Sequence, residues 1–200
     1  SFAKELFPLN RSLMGPDIRK SLKKFRAKHK EFSLIEFNTG QKVFDWTVPK
    51  EWIIKDAFIE HESGKKFALF SENNLHLMGY SSPIDKCLTR DQLLQKIHTH
   101  PTDETAIPYV TSYYKEDWAF CMSSKQVQSL PSGNYRVFID SEFKEGKLCL
   151  QEALIKGSSD QEIFFSSYLC HPSMANNELS GPVLLSKIMD FVKSLDHRKY

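Results

Sequence analysis

The sequence lacks the features that mark membrane proteins, exported proteins and disulfide-rich scaffolds. No apolar stretch reaches the roughly 18 residues that a membrane-spanning helix needs, and no charged-then-apolar signal segment opens the chain. The four cysteines, Cys87, Cys121, Cys149 and Cys170, are widely spaced and form no C-x-x-C pair, which favours reduced thiols. We therefore expect a cytoplasmic protein with no membrane partner.

The sequence also lacks a strong excess of charge of one sign. A formal net charge of +2 does not indicate a nucleic-acid partner. Basic residues do cluster between Lys20 and Lys30, and this run predicts a solvated helix face. Nucleic-acid binding therefore ranks only third among the functions considered. The hydrophobic fraction of 40% and the charged fraction of 26% are those of a folded globular protein.

The pattern of apolar residues changes along the chain. Over residues 16–29 the apolar positions fall at helical spacing, and residues 32–37 predict a short strand. From about 43 to 157, short β-prone runs alternate with turn clusters, which predicts a mostly β region. One helix interrupts this region; it begins after Thr89 and ends before Pro101.

The last part of the chain predicts a strand followed by a helix. Residues 162–170 form a nearly continuous apolar run, typical of a strand buried on both faces. Residues 182–195 predict a helix whose apolar stripe consists of Leu184, Ile188, Phe191, Val192 and Leu195. We expect the 162–170 strand to pair with the 32–37 strand or to share its sheet. The two ends of the chain then form an α/β domain, and the β-rich region is an insertion.

One histidine stands where α/β proteins place ligand sites. His171 closes the predicted 162–170 strand, and polar residues follow it up to Gly181, before the last helix. Open α/β sheets bind ligands at the carboxyl ends of their strands. His171 is therefore a candidate metal ligand, and the alternative is a hydrogen-bonded histidine at a strand end.

Several segments spread over nearly the whole chain resemble one family. They are NRSL at 10–13, VFDWTVPKEW at 43–52, GYS at 79–81, IPYVTSYY at 107–114 and IDS at 139–141. The family comprises bacterial proteins with an aminopeptidase-like domain that carries an inserted domain of unknown function, often linked by gene neighbourhood to polysaccharide biosynthesis. Ala119 departs from the pattern, because the family usually has glycine there.

The resemblance implies a fold and a domain division. The implied fold is α/β: a zinc-aminopeptidase-like αβα sandwich, present in part, with an inserted β-rich domain. Residues 1–42 would begin the aminopeptidase-like domain, 43–157 would form the insertion, and 158–200 would continue the first domain. We expect the chain to be the N-terminal portion of such a protein.

The resemblance also implies a zinc site. The segment after residue 170 resembles the first metal-binding stretch of co-catalytic zinc aminopeptidases, in which a histidine closes a strand and an aspartate before Ser-Gly bridges two zinc ions. His171 matches the histidine, and Asn177 stands at the aspartate position. A bridging carboxylate offsets the repulsion between the two cations, whereas an amide is neutral. We expect Asn177 to lie near His171, with Glu178 as a substitute ligand to be weighed, and this chain to bind zinc weakly or not at all.

The implied function is hydrolysis of a peptide or amide bond by a zinc-dependent, aminopeptidase-like enzyme. The general-base glutamate, the further acidic ligands and the second histidine would lie beyond Tyr200, so we expect this chain alone to be inactive. The alternative is a non-catalytic saccharide- or protein-binding protein on a degenerate hydrolase fold. The candidate substrate-binding residues form an aromatic cluster, which could instead serve only to pack the insertion against the rest of the protein: Tyr109, Tyr113, Tyr114 and Trp118.

Other polar residues are weaker candidates. His98 and His100 stand at alternate positions and could share a metal, although surface histidines explain them as well. Asp45 and Asp140 follow apolar runs and could be catalytic carboxylates, but we favour caps and turns for both.

Overall fold

The structure is a computed structural model that describes residues 1–200. The chain forms two compact units. Unit 1 consists of Ser1–Glu51 and Lys144–Tyr200, and unit 2 consists of Trp52–Phe143. Unit 2 is thus one continuous stretch of chain, and it lies within residues 43–157, for which the sequence predicts a β-rich region.

The chain forms five α-helices and ten β-strands. The helices are α1 (Phe2–Leu6), α2 (Pro16–Lys28), α3 (Arg90–Leu94), α4 (Ser124–Gln128) and α5 (Ser180–Lys193). The strands are β1 (Ser33–Asn38), β2 (Lys42–Val43), β3 (Trp46–Thr47), β4 (Glu51–His61), β5 (Lys66–Phe67), β6 (Ile84–Thr89), β7 (Ile97–His98), β8 (Phe120–Cys121), β9 (Asn134–Lys144) and β10 (Lys147–Glu152). None of the helices is long and apolar enough to cross a membrane.

Unit 1 combines helices α1, α2 and α5 with a two-stranded sheet. Pro16 occupies the first turn of α2 after Gly15, where a missing amide N–H costs nothing. Strand β1 pairs with β10 in antiparallel register. Leu6, Phe25 and Leu179 form an apolar cluster that also contacts partly buried residues: Phe2, Ala3, Leu9, Phe32, Leu169 and Val183.

Unit 2 contains a four-stranded sheet in the order β5-β4-β9-β6. Along β9 the side chains alternate between the core and the surface, and Tyr135, Val137 and Ile139 are at most 2% exposed. This alternation is the period-two pattern of a strand with one buried face. The predicted helix after Thr89 is confirmed as α3, and the Thr89 side chain accepts a hydrogen bond from the Gln92 amide. It is shorter than predicted, because Ile97 and His98 form β7, which pairs with β8.

The prediction of a buried strand at 162–170 is wrong. No strand forms there, and most of its side chains are exposed, among them Phe164 at 87% and Tyr168 at 62%. The partner of β1 is β10 instead. A strand buried on both faces needs neighbouring strands and covering layers, and nothing in the structure supplies them to this segment.

Helix α5 confirms the predicted helix but not its predicted apolar face. Leu184 and Phe191 are 61% and 64% exposed, whereas Pro182, Ser186 and Met189 are buried. The buried face is determined by a residue that is distant in sequence. His29 Nε2 lies 2.7 Å from Ser186 Oγ and holds the Ser186 side of α5 against the end of α2.

Candidate functional site

The candidate site lies in the segment that precedes α5. Leu169 and Leu179 both belong to the apolar cluster around Phe25, so the chain between them is held at both ends. Gly181 lets α5 begin close to the incoming chain, because a Cβ atom at this position would lie 2.5 Å from Ser167 Oγ. These contacts bring residues 170 and 171 next to residue 178.

Glu178 is the central residue of this segment. Its carboxylate is buried, at 4% exposure for the residue, and its Oε2 accepts hydrogen bonds from the backbone amides of Cys170 and His171. Its Oε1 lies 3.0 Å from Cys170 Sγ and 3.5 Å from His171 Nδ1. Glu178 reaches this position with a φ of 82°, a left-handed conformation that costs a non-glycine residue free energy.

Burial shifts the pKa values of both neighbours of Glu178. It lowers the pKa of His171, although the negative charge of Glu178 acts in the opposite direction. It also raises the pKa of the Cys170 thiol to about 12, and Glu178 adds to that rise. Each shift favours the neutral form, and a neutral imidazole is the form that binds a metal ion.

A buried arginine supplies the positive charge of the site. Arg11 is 1% exposed, and burial lowers its pKa, while the charges of Glu178 and Asp17 partly offset that effect. Its Nη1 donates to the carbonyl oxygen of Leu6, and its Nε and Nη2 have no hydrogen-bond partner. A buried guanidinium is costly unless negative charge compensates it, so Arg11 and Glu178 belong to one electrostatic unit.

Asn177 has a different environment from Glu178. The Asn177 side chain is exposed, and its Oδ1 accepts a hydrogen bond of 2.8 Å from the Tyr168 hydroxyl. The carboxylate that contacts His171 therefore comes from the next residue along the chain. The Tyr168 ring lies edge-on to the His171 ring, at 6.2 Å between centroids.

The donor atoms of this segment fit one metal ion better than a pair of ions. Ligand atoms of Cys170, His171 and Glu178 all lie within 4.8 Å of one another, and thiolate, imidazole and carboxylate are the ligands that zinc takes in proteins. A two-ion centre needs a carboxylate between the ions, and the amide at residue 177 does not supply one. The residues do not fit the two-zinc centre that the resemblance implies.

The sequence alone pointed to only part of this set. The sequence pattern does not indicate Cys170 or Arg11 as site residues, and it offers Glu178 only as a substitute for Asn177. Cys170 adjoins His171 and Glu178 is the only acidic residue between His171 and the last helix, so both signals are present in the sequence. Arg11 lies far away along the chain, and no local pattern connects it with this segment.

The aromatic candidates lie in unit 2. The hydroxyl oxygens of Tyr109 and Tyr113 are 3.0 Å apart, and Tyr114 is 87% exposed. Trp118 is half-buried, and Lys96 Nζ lies 5.3 Å from the centre of its ring. Packing thus accounts for part of the cluster, whereas Tyr114 presents its ring to solvent.

The remaining polar candidates have structural contacts. His100 Nδ1 accepts from the backbone amides of Thr102 and Asp103 and so forms a turn. His98 is exposed in β7, Asp45 is exposed, and Asp140 lies 3.6 Å from Lys55 Nζ in an ion pair. These contacts agree with turn and surface roles.

A second group in unit 1 has the residue types of a nucleophilic triad. His29 Nε2 lies 2.7 Å from Ser186 Oγ, and its Nδ1 lies 3.9 Å from Asp190 Oδ1. Both His29 and Ser186 are at most 1% exposed, and the distance to Asp190 is too long for the hydrogen bond that orients a catalytic imidazole. This group joins α2 to α5 and is not a nucleophilic site.

Comparison with known proteins agrees with this picture of the fold. Residues 51–142 match the family described as a domain of unknown function, DUF2172. Over 191 residues, or 96% of this chain, the sequence is 44% identical to a Clostridium acetobutylicum protein provisionally named a polysaccharide biosynthesis protein with an aminopeptidase-like domain. The alignment covers 44% of that protein, so the chain spans less than half the length of this relative.

A crystal structure from the same organism matches the whole chain. It is of a provisionally assigned peptidase from Clostridium acetobutylicum, with a TM-score of 0.93 and 44% sequence identity, and the match covers 100% of this chain and 47% of that one. The fold is therefore mixed α/β and is shared with about half of that peptidase-named protein. The resemblance that the sequence motifs carry is confirmed: residues 51–142 match the DUF2172 model, and the chain is similar to a Clostridium acetobutylicum protein named for an aminopeptidase-like domain.

Proposed function

We propose that this chain forms part of a zinc-dependent, aminopeptidase-like hydrolase that acts on a peptide or amide bond in the cytoplasm. The proposed fold of the complete enzyme is an αβα sandwich in which the stretch around the DUF2172 domain is an insertion. The observation that carries the proposal is the contact of His171 with the buried Glu178 carboxylate, directly before α5.

The residues of the site have separate roles in this proposal. Zinc would supply a Lewis acid that polarises the scissile carbonyl and activates water. His171 binds the metal as a neutral imidazole, which its lowered pKa favours. Glu178 orients this part of the chain, because its Oε2 accepts from the His171 amide, and Arg11 is the buried positive charge that interacts with its carboxylate. The general base and any metal ligands from outside this segment are proposed to come from the part of the relatives that this chain does not cover.

A chimera tests the proposal. This chain replaces the matching N-terminal part of the Clostridium acetobutylicum relative, with Asn177 or with Asn177→Asp. Bound zinc is counted by atomic emission, and turnover is measured with a panel of aminoacyl anilides. We expect Asn177→Asp to bind more zinc and to hydrolyse faster, because it adds at position 177 the bridging carboxylate that a two-ion centre needs. The chain by itself should be inactive.

The chimera experiment has a clear contrary result. If the Asn177→Asp chimera is metal-free and inactive while the unaltered relative hydrolyses a substrate of the panel, this chain does not support the hydrolase function. A chimera with Asn177→Ala is the matched control, since it removes the amide without adding charge. Circular dichroism establishes that all three chimeras are folded.

One observation favours a second function, the binding of a saccharide without catalysis. Tyr114 is 87% exposed in unit 2 beside Tyr113, whose ring centroid lies 6.5 Å away, and exposed aromatic rings stack on sugars. In this case oligosaccharides should bind the chain in calorimetry, and Tyr114→Ala should abolish the binding. An Asn177→Asp change would then give no activity and could lower stability by adding an unpaired carboxylate.

A further inference from the structure

We propose that Cys170, His171 and Glu178 bind a single divalent ion of the zinc class, so that a thiolate and the carboxylate of Glu178 replace the aspartate that Asn177 lacks. This inference deepens the proposed function and rests on its metal site, but it requires no catalysis. It predicts that the 200-residue chain alone binds one ion, contrary to the expectation from His171 and Asn177 alone.

The contacts of Glu178 Oε1 support this assignment of ligands. Cys170 Sγ lies 3.0 Å and His171 Nδ1 lies 3.5 Å from this one oxygen atom. Around a tetrahedral zinc ion with bonds of ~2.0–2.3 Å, neighbouring ligand atoms are separated by about 3 to 4 Å. Glu178 Oε1 therefore already has nearly the separations from the other two donors that an ion would impose, and all three donors lie within 4.8 Å of one another.

The thiol proton of Cys170 lies between two candidate ligand atoms, Cys170 Sγ and Glu178 Oε1. In the structure Cys170 donates its S–H to Glu178 Oε1. When the ion binds, the S–H bond breaks, a sulfur–metal bond forms, and the proton passes to water or buffer; Oε1 then accepts the metal in place of the proton. No oxidation occurs, and the charge on the metal is unchanged.

The surrounding charge suits a site with one ion. With Cys170 as thiolate and Glu178 ionised, two negative ligands balance one divalent cation, and the buried Arg11 adds one positive charge. The site as a whole then has an excess of one positive charge, which favours an anionic or polarised oxygen of an exogenous ligand at the open fourth position. Three protein ligands with one open position are usual in catalytic zinc sites.

The backbone conformation of residues 173–178 determines which side chain lies beside His171. Ser173 and Glu178 have φ values of 43° and 82°, so the chain adopts two strained conformations between the first and last of the three donors. Asn177 has an extended backbone and an exposed side chain whose oxygen is bound to the Tyr168 hydroxyl. The strained turn thus places a carboxylate, and not the amide, beside His171.

Cobalt is the probe for this site. The 200-residue chain, reduced with a phosphine and kept free of oxygen, is titrated with Co²⁺ alone and then with Zn²⁺. We expect one equivalent of Co²⁺ to give visible bands typical of four-coordinate cobalt and a thiolate-to-cobalt charge-transfer band in the near ultraviolet. One equivalent of Zn²⁺ should abolish both sets of bands. The absence of a charge-transfer band in the wild-type chain would overturn the proposal.

Matched variants identify the ligands. Cys170→Ser should remove the charge-transfer band, while Cys87→Ser, at an exposed cysteine of unit 2, should leave it unchanged. Glu178→Gln and His171→Ala should each weaken binding by more than the about 10- to 100-fold that loss of an outer hydrogen-bond partner costs. Asn177→Ala should leave the affinity unchanged. A band that survives Cys170→Ser, or affinity that depends on Asn177, would contradict the assignment.

A measurement on the wild-type chain covers the case in which a variant fails to fold. X-ray absorption at the zinc edge should show one sulfur neighbour at about 2.3 Å and nitrogen or oxygen neighbours at about 2.0 Å. A first shell without sulfur would overturn the proposal. The result is independent of hydrolysis: a one-sulfur site in the chain beside an inactive chimera would refute only the proposed enzyme, and an active chimera beside a sulfur-free site would refute only this ligand set.

Discussion

The four-stranded sheet of unit 2 and residues 153–174 of unit 1 are both rich in apolar side chains, but they use them in opposite ways. In β9, Tyr135, Val137 and Ile139 are buried. In the second stretch, where no helix or strand forms, Phe164 is 87% exposed and Ile163 is 59% exposed. The two regions differ in their partners: β9 lies between β4 and β6 in the sheet, whereas the second stretch pairs with no strand.

This difference shows what an apolar pattern does and does not determine. Alternation or continuity of apolar residues indicates which faces a strand could bury, but burial itself requires neighbouring strands that satisfy the backbone and layers that cover the side chains. The stretch before α5 keeps its position through the cluster around Leu169 and through the Glu178 carboxylate. It is therefore held by side chains at one end, by backbone hydrogen bonds from Ser158 and Ser159 to residues 198 and 199 at the other, and by no strand pairing.

The largest expected effect compares one apolar residue from each region. Ile139→Ala should lower the free energy of unfolding of unit 2 by about 3 kcal/mol, because it leaves a cavity in a packed core. Phe164→Ala should change the stability by less than about 0.5 kcal/mol, as exposed substitutions do. Urea denaturation followed by amide hydrogen exchange, which separates the two units, measures both. A Phe164→Ala cost as large as that of Ile139→Ala would end the comparison.

The sequence predicts elements well where local signals suffice. Helix α2, strand β1 and the Thr89 cap follow from helical spacing, a short β-prone run and capping chemistry, and all of these signals lie within a few residues. Strand β9 has its own period-two pattern. In each of these cases the neighbours in sequence determine the local conformation.

The failures all depend on contacts between distant residues. The buried face of α5 is set by Ser186, whose partner His29 is 157 residues earlier in the chain. The site likewise needs Arg11 beside residues 170–178, and it needs the left-handed φ of Glu178. A match to a motif assigns Asn177 the place of a ligand, but only the backbone conformation decides which of two adjacent side chains faces His171.

The second prediction tests whether one carboxylate holds the stretch before α5. Glu178→Gln should weaken this region by about 1–3 kcal/mol, because an amide leaves buried backbone donors poorly satisfied. The loss should appear as faster hydrogen exchange of the Cys170 and His171 amides. Asp160→Asn, the same change at an exposed position, is the control. Unchanged protection of both amides in Glu178→Gln would show that the segment is held by other contacts.

The third prediction concerns pH, and it contrasts a buried polar contact of unit 1 with the apolar core of unit 2. Burial, aided by the charge of Lys28, lowers the pKa of His29, while the charge of Asp190 acts in the opposite direction. The unfolded chain therefore binds a proton more readily than the folded one. The stability contribution is fully present above the unfolded pKa of about 6.5 and is lost as the pH falls through the folded pKa.

Hydrogen exchange of the α5 amides is the measurement for this pH effect, since burial also lowers the pKa of His76 in unit 2, and whole-chain unfolding would mix the two. Protection of α5 should decrease between pH 7.5 and pH 5. In His29→Gln, which keeps a polar partner for Ser186 without titrating, the pH dependence should disappear. An equal dependence in this variant would assign the effect to another group.

The smallest expected effect concerns a hydrogen bond between Tyr168, in the exposed segment 162–170, and Asn177, in the turn before α5. The Tyr168 hydroxyl donates to Asn177 Oδ1 at 2.8 Å, and both side chains are exposed. Because water replaces an exposed partner at little cost, Tyr168→Phe should lower the stability by only about 0.5 kcal/mol. The same variant should leave Co²⁺ affinity unchanged if Glu178 is the ligand, since it alters only the partner of Asn177. A large loss of affinity in Tyr168→Phe would mean that Asn177 helps to bind the ion. The site would then depend on the hydrogen bond between Tyr168 and Asn177 as well as on the Glu178 carboxylate.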